Sequence, residues 1–173
     1  MKSQSKIILA IAPGNRTFGI SVFDGVELTY FRLHVINNNG SSKFVKIEVV
    51  ELIRRCIFRF RPDLVVIKAI SQYQKKSPLL SSISEVIEQQ TNTDRIPITK
   101  ISLDQIRDVL CPNGKPTQAK AFENLTILYP ELRQYFNRPN KWQNEYYHNL
   151  FSAAAVGVVM LRSLSSQSPS SSK

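Results

Sequence analysis

The side chains able to do chemistry are few here, and most are cations. Lysine and arginine number 23 against 13 aspartates and glutamates, with two histidines, for a formal net charge of +10. A surplus of this size suits a polyanion, with nucleic acid first and an anionic membrane surface second. Lys68 stands apart from the rest: it interrupts "DLVVIKAI" (63–70), an otherwise apolar run of strand length. An ammonium in such a run needs a partner or a route to water. Lys75 and Lys76 follow that run, Lys115 and Lys120 lie in "NGKPTQAK", and Arg133, Arg138, Lys141 and Trp142 lie in "LRQYFNRPNKW". Spacing of this kind fits phosphate contact rather than the reading of base edges. Gln72 and Tyr73, ahead of the first lysine pair, are further contacts or plain loop residues.

Other chemistries lack their residues. Cys56 and Cys111 show neither CxxC spacing nor a neighbouring histidine pair, so no zinc site is indicated. Cys56 sits in an apolar helical stretch and reads as a core thiol. His148 stands alone, more in keeping with packing or a hydrogen bond than with a ligand. The sequence offers no Ser/His/Asp set and no glycine-rich phosphate loop. No signal peptide or membrane span is visible, so the expected compartment is the cytoplasm, and no membrane partner is expected.

The elements that would position these residues follow from periodicity. "KIILAIA" (6–12) is a buried strand stopped by Pro13-Gly14; "TFGISVF" (17–23) is a second, turned by Asp24-Gly25 into a third, "VELTYFRLHVI" (26–36). In the third, alternation sets Leu28, Tyr30 and Arg32 on one face and Thr29, Phe31 and Leu33 on the other. From Lys43 to Phe60 the period is helical, with Phe44, Ile47, Val50, Ile53 and Ile57 as the expected buried face, widened by Leu52. A fourth strand over 63–70, a helix over 79–90 and a fifth strand over 95–102 follow, Pro97 pointing to an edge or an early-strand position in the last. Short helices capped by Ser102 and Thr117 come next, with one further turn in "PELRQYF". The longest helix is expected from about Trp142 to Leu164. The composition and order predict one α/β domain over 1–164, with three antiparallel strands, then two in β-α-β units, in a mixed five-stranded sheet flanked by helices. The Ser-rich stretch 165–173 is expected to be a disordered tail.

This order, with "ILAIAPGNRTFGISVFDG", "PDLVVIKAI", "NGKPTQAKAFENLTILYPEL" and "KWQNEYYHNLFSAAAVGVVML", resembles the RuvC-type Holliday-junction resolvases of the ribonuclease H-like fold, most of all the small cyanobacterial type. The resemblance covers about residues 6–162. It implies a carboxylate at the end of the first strand, another at the end of the fourth, and one or two on the last helix, together holding two Mg²⁺ ions for phosphodiester hydrolysis. By position these fall on Ala12, on Lys68 or its neighbour Ala69, and on Asn149 and Ser152, the last two sharing a helical face. No matched position is acidic. Elsewhere, Asp24 belongs to the hairpin turn and Asp63 starts the fourth strand, while Glu27, Asp104 and Glu145 complete the nearby carboxylates. Only Glu145, four residues before Asn149, is placed to face a cleft, and one carboxylate makes a poor two-metal site.

The resemblance therefore implies a pseudoenzyme: an inactive RuvC-like protein that binds DNA or other nucleic acid through the backbone, with no cofactor. The Lys68 ammonium would take the metal's place and meet a phosphate, with Asn149 and Ser152 bonding the same phosphate. Two alternatives stay open. One is a Mg²⁺-dependent junction endonuclease with a rearranged site. The other is a protein-interaction module, as a homodimer or as the inactive half of a heterodimer with an active relative.

Overall fold

The computed structural model describes residues 5–37, 41–136 and 141–167, without the side chains of Lys141 and Trp142. The first apolar run forms β1 (Ile7–Ala12), and the meander continues through β2 (Thr17–Asp24) and β3 (Glu27–Val35). Then come α1 (Ser42–Phe60), β4 (Leu64–Lys68), a 3₁₀ turn at Gln74–Lys76, α2 (Pro78–Thr93) and β5 (Ile98–Ile101). The chain closes with α3 (Leu103–Leu110), α4 (Gln118–Leu128), a 3₁₀ turn at Pro130–Tyr135, and α5 (Lys141–Gln167). The sheet order is β3-β2-β1-β4-β5. β2 runs antiparallel to both β1 and β3, whereas β4 runs parallel to β1 and β5. The expected mixed five-stranded architecture is the one observed, and β5 is an edge strand that follows Pro97 directly.

Period-two alternation splits the core into two layers. Leu9, Ile11, Phe18, Ile20, Val65 and Ile67 meet the buried side of α1 and α2. Ile8, Ala10, Phe23 and Val66 meet α3, α4 and α5. The strand ends of the second layer, Ala12 and Lys68, therefore lie under α5, which packs against β1, β2 and β4. Three helix starts are satisfied by side-chain caps: Ser77 and Thr117 accept from Leu80 N and Lys120 N, and Ser102 with Gln105 forms a reciprocal capping box.

α5 seats on the sheet through two missing side chains. A Cβ on Gly19 would collide with the backbone carbonyl of Asn149, and one on Gly157 would collide with the Phe23 ring. Ala153, Ala154, Ala155 and Val156 are fully buried beside them. By length and hydropathy, 143–167 would suffice to cross a membrane. In this fold its apolar face belongs to the core.

Four expectations need correction. The pairing of β3 shifts register between Val22 and Phe23, leaving Thr29 as an extra residue whose hydroxyl donates to Val22 O. Leu28 thereby joins the α5 face with Phe31, while Tyr30 stays on the other. The buried face of α1 is Val45, Val49, Leu52, Ile53 and Cys56, and Phe44 and Ile47 are 66% and 46% exposed. That helix carries more apolar residues than one stripe can bury, and the stripe nearer the sheet wins. The fourth strand stops at Lys68, two residues early, because Ala69 and Ile70 leave the strand at its end. The last helix continues through Ser165, Ser166 and Gln167, whose two serine hydroxyls donate back to the carbonyls of Leu161 and Arg162. The remainder of the serine-rich stretch lies outside the described residues.

Candidate nucleic-acid interface

Lys68 ends β4 and points to α5 rather than to solvent, with 8% of its surface exposed. Its Nζ donates to Ser152 Oγ at 3.2 Å and lies 3.5 Å from His148 Nε2. Neither partner is anionic. Burial lowers the ammonium's pKa from its ordinary value. His148 also receives the side-chain nitrogen of Gln118, at 3.2 Å. Burial, and then the Lys68 ammonium, bring His148 down to about 4, so its imidazole is neutral at physiological pH. The pair is mutually consistent: a neutral ring can accept from an ammonium, whereas an imidazolium could only repel it.

The other matched positions are built into the frame. Ala12 is fully buried and pairs with Gly19. Asn149 does not present its amide nitrogen to a ligand, since that nitrogen donates to Thr17 O and Thr17 Oγ1, both at 2.9 Å. It pins α5 to the start of β2, close against Gly14. Ser152 is fully buried beneath the Lys68 ammonium. The expectation that Asn149 and Ser152 bond a phosphate alongside Lys68 is thus corrected: close packing of α5 on the sheet turns both inward.

This donor set does not suit a divalent metal. A hard ion such as Mg²⁺ wants several oxygen ligands, anionic ones above all. The strand tips instead supply an alanine methyl and an ammonium, and α5 supplies an occupied amide and a hydroxyl. Two unit charges about 4 Å apart interact by roughly 4 kcal/mol at an effective dielectric near 20, and a divalent ion doubles the repulsion from Lys68. Among the described residues, no group of three His, Cys, Asp or Glu side chains could hold a metal ion. Asp63 accepts from Ile7 N at 2.8 Å and Asp24 from the Ser5 hydroxyl, both at the opposite end of the sheet.

The cations divide by position. Lys75 and Lys76 are exposed in the turn just beyond Lys68, and Asn15, after β1, reaches Ser77 beyond that turn at 3.3 Å. Tyr73 in the same segment is 86% exposed. Lys115 is exposed ahead of the Thr117 cap, at the α4 end that carries Gln118 to His148. Lys120 is exposed and ion-paired to Glu123 at 2.7 Å. Arg133 is drawn away from the group. Its Nε donates to Thr126 O late in α4, where Tyr129 bonds Val26 beside the far hairpin. Arg138 and the side chain of Lys141 lie outside the described residues.

Sequence reasoning missed two members. Arg16 is exposed in the loop leaving β1, and its position between the first two strands was the available signal. Gln118 had no signal, because its link to His148 spans thirty residues and exists only after α4 packs on α5.

No protein-family model matches the sequence, and no curated protein matches it. Solved structures do. Thermus thermophilus RuvC in complex with a Holliday-junction substrate aligns over 92% of this chain and 96% of its own, at TM-score 0.68 and 11% identity. A second T. thermophilus RuvC structure gives 0.71 and 13% over the same shares. The chain has the RuvC-like, ribonuclease H-like fold. The yeast mitochondrial Holliday-junction resolvase Ydc2 aligns over 95% of this RuvC-like chain and 82% of its own, at TM-score 0.66 and 8% identity. At these identities the likeness is one of fold.

Proposed function

We propose that this RuvC-like chain binds nucleic acid, branched or duplex DNA before others, through the backbone and without hydrolysing it at the strand tips. The observation that carries this reading is the buried Lys68 ammonium, bonded to Ser152 at the ends of the parallel strands. It brings positive charge to the place where hydrolysis by two metals would need negative charge. Arg16, Lys75, Lys76 and Lys115 surround that place as exposed phosphate partners, with Tyr73 as an aromatic face for an unstacked base. The Holliday-junction substrate bound by T. thermophilus RuvC makes a four-way junction the first ligand to try.

The test is a titration of a synthetic four-way junction and a matched linear duplex at low and moderate salt, with and without Mg²⁺, scored for binding and for cleavage. Salt-sensitive binding with intact DNA is expected. Cleavage that stops with chelator would instead establish the metal-dependent endonuclease.

A second reading, self-association, is favoured by α1. Phe44, Ile47 and Phe58 lie outward along one stripe, with Phe58 81% exposed. Two copies packed antiparallel about Glu51 would bring Phe44 of each against Phe58 of the other, while Arg54 faces Glu48. Sedimentation of the wild type and of Phe58→Asp decides it: a dimer lost in the variant supports the pairing, and a monomer in both removes it.

A further inference from the structure

A cavity of about 340 Å³ opens beside the Lys68 group, between α4, the 3₁₀ turn at 130–135 and the start of α5. Its volume falls within the range of about 300–1,000 Å³ usual for small-molecule sites. The walls are mainly aromatic: Phe122, Tyr135, Phe136 and Phe151. Phe122 stacks on Phe151 at 5.2 Å, and Phe136 meets the same ring edge-on at 5.8 Å. Gln118, Asn144, Glu145 and His148 supply its polar lining. Lys68 and Gln118 both place donor nitrogens at His148 Nε2, so that atom carries the lone pair and the ring proton sits on Nδ1. Nδ1–H has no hydrogen-bond partner among the described residues, nor has the side-chain carbonyl of Gln118. The cavity thus offers flat aromatic walls, an N–H donor at His148 and a carbonyl acceptor at Gln118, with Asn144 and the Glu145 carboxylate on its α5 side and a single imidazole between it and the buried ammonium.

We propose that this cavity receives an unpaired nucleobase, stacked on its aromatic wall and read on one edge by His148 Nδ1–H and the Gln118 carbonyl. Every base has a π face for the wall and adjacent donor and acceptor atoms for the pair. A base seated there, with its edge on His148 and Gln118, would leave its sugar and phosphate at the open side of the cavity, where Ala119 and the neighbouring Lys120 are exposed. This inference rests on the nucleic-acid reading above for the source of the base: an extruded nucleotide of a bound strand, as against a free nucleoside. The cavity's fit to the base itself does not depend on that reading.

The experiment has two arms. In the first, a fully paired duplex and the same duplex with one bulged adenine are titrated against wild type, Ala119→Trp and Gln118→Leu. Ala119 is an exposed residue on the cavity wall, so a tryptophan there fills the space from outside the core. The wild type should prefer the bulged duplex about tenfold. Ala119→Trp should bring that ratio to about one, and Gln118→Leu should reduce it. In the second arm, adenosine and cytidine, which carry no phosphate, are titrated while the amide resonances of α4 and the first half of α5 are followed by NMR. Shifts in the wild type that vanish in Ala119→Trp support the cavity, even if no duplex binds and the broader reading fails. Tight duplex binding with a ratio of one and no nucleoside shifts would overturn the cavity and leave the broader reading standing. Bulge preference that survives Ala119→Trp would also overturn it.

Discussion

Lys68 is an ammonium buried against neutral partners, an arrangement that stability alone does not favour. Replacing such a group by an apolar side chain of similar length is often neutral or stabilising, by about 1–4 kcal/mol. Lys68→Met should therefore raise the melting temperature while weakening duplex binding by roughly threefold to tenfold. Paired thermal-melting and binding measurements check this, and a variant that melts lower without losing affinity would make Lys68 a purely structural residue. His148 gives a pH signature. Its folded pKa of about 4 lies below the ordinary 6.5 of the unfolded chain, so the unfolded chain takes up a proton that the native ring refuses. Its contribution is fully present above pH 6.5 and is lost as the pH falls from 6.5 toward 4, at most about 3 kcal/mol over that window. His148→Gln should flatten that part of the stability curve, as denaturant titrations at each pH would register.

At the scale of elements, the arrangement around Lys68 depends on how closely α5 lies on β1 and β2. Gly19 and Asn149 fix that distance. Gly19→Ala drives a methyl into the α5 backbone, which cannot yield as a side-chain tip would, and should cost at least about 3 kcal/mol in chemical denaturation. Asn149→Asp bears on whether this position can accept a carboxylate. It replaces a donor by an acceptor facing the Thr17 carbonyl, and should destabilise by about 2 kcal/mol. Restoring acid at Ala12, Lys68 and Asn149 together should yield an unstable protein rather than a nuclease. A folded triple variant that cleaves a junction with Mg²⁺ would refute this.

Over the whole molecule, the net charge of +10 is distributed unevenly in its consequences. Arg16, Lys75, Lys76, Lys115 and Lys120 gather about the strand tips and the adjoining start of α4, whereas Arg133 is held toward the far hairpin. If those five carry the phosphate contacts, the logarithm of the binding constant should fall with the logarithm of salt concentration at a slope near −4 to −5 for duplex DNA. Lys75→Ala with Lys76→Ala should reduce that slope by about 2, while Arg133→Ala should leave it unchanged. Both follow from fluorescence-anisotropy titrations across a salt series.

Local signals were enough for the strands, the hairpin turn at Asp24-Gly25, the Ser102 and Thr117 caps and the order of elements, because each is written within a few neighbouring residues. From that order and a resemblance carried by strand-tip motifs, the sheet class was legible, and so was the placing of Ala12 and Lys68 at strand ends and of Asn149 and Ser152 on the last helix. The direction of those side chains was not. The sequence could not decide that Lys68 turns to Ser152 instead of water, or that Asn149 spends its amide on Thr17, since both depend on contacts more than eighty residues apart. The buried stripe of α1 and the face of Leu28 were misread for a related reason. An excess of apolar residues and a one-residue bulge leave local periodicity ambiguous, and only packing against the sheet resolves it. By itself the sequence determined a basic α/β chain with no acidic side chain at positions 12, 68, 149 and 152. Tertiary structure decided what those positions and their neighbours form: an inward-facing ammonium, a neutral imidazole beside it and an aromatic cavity beyond, assembled from β4, α4 and α5.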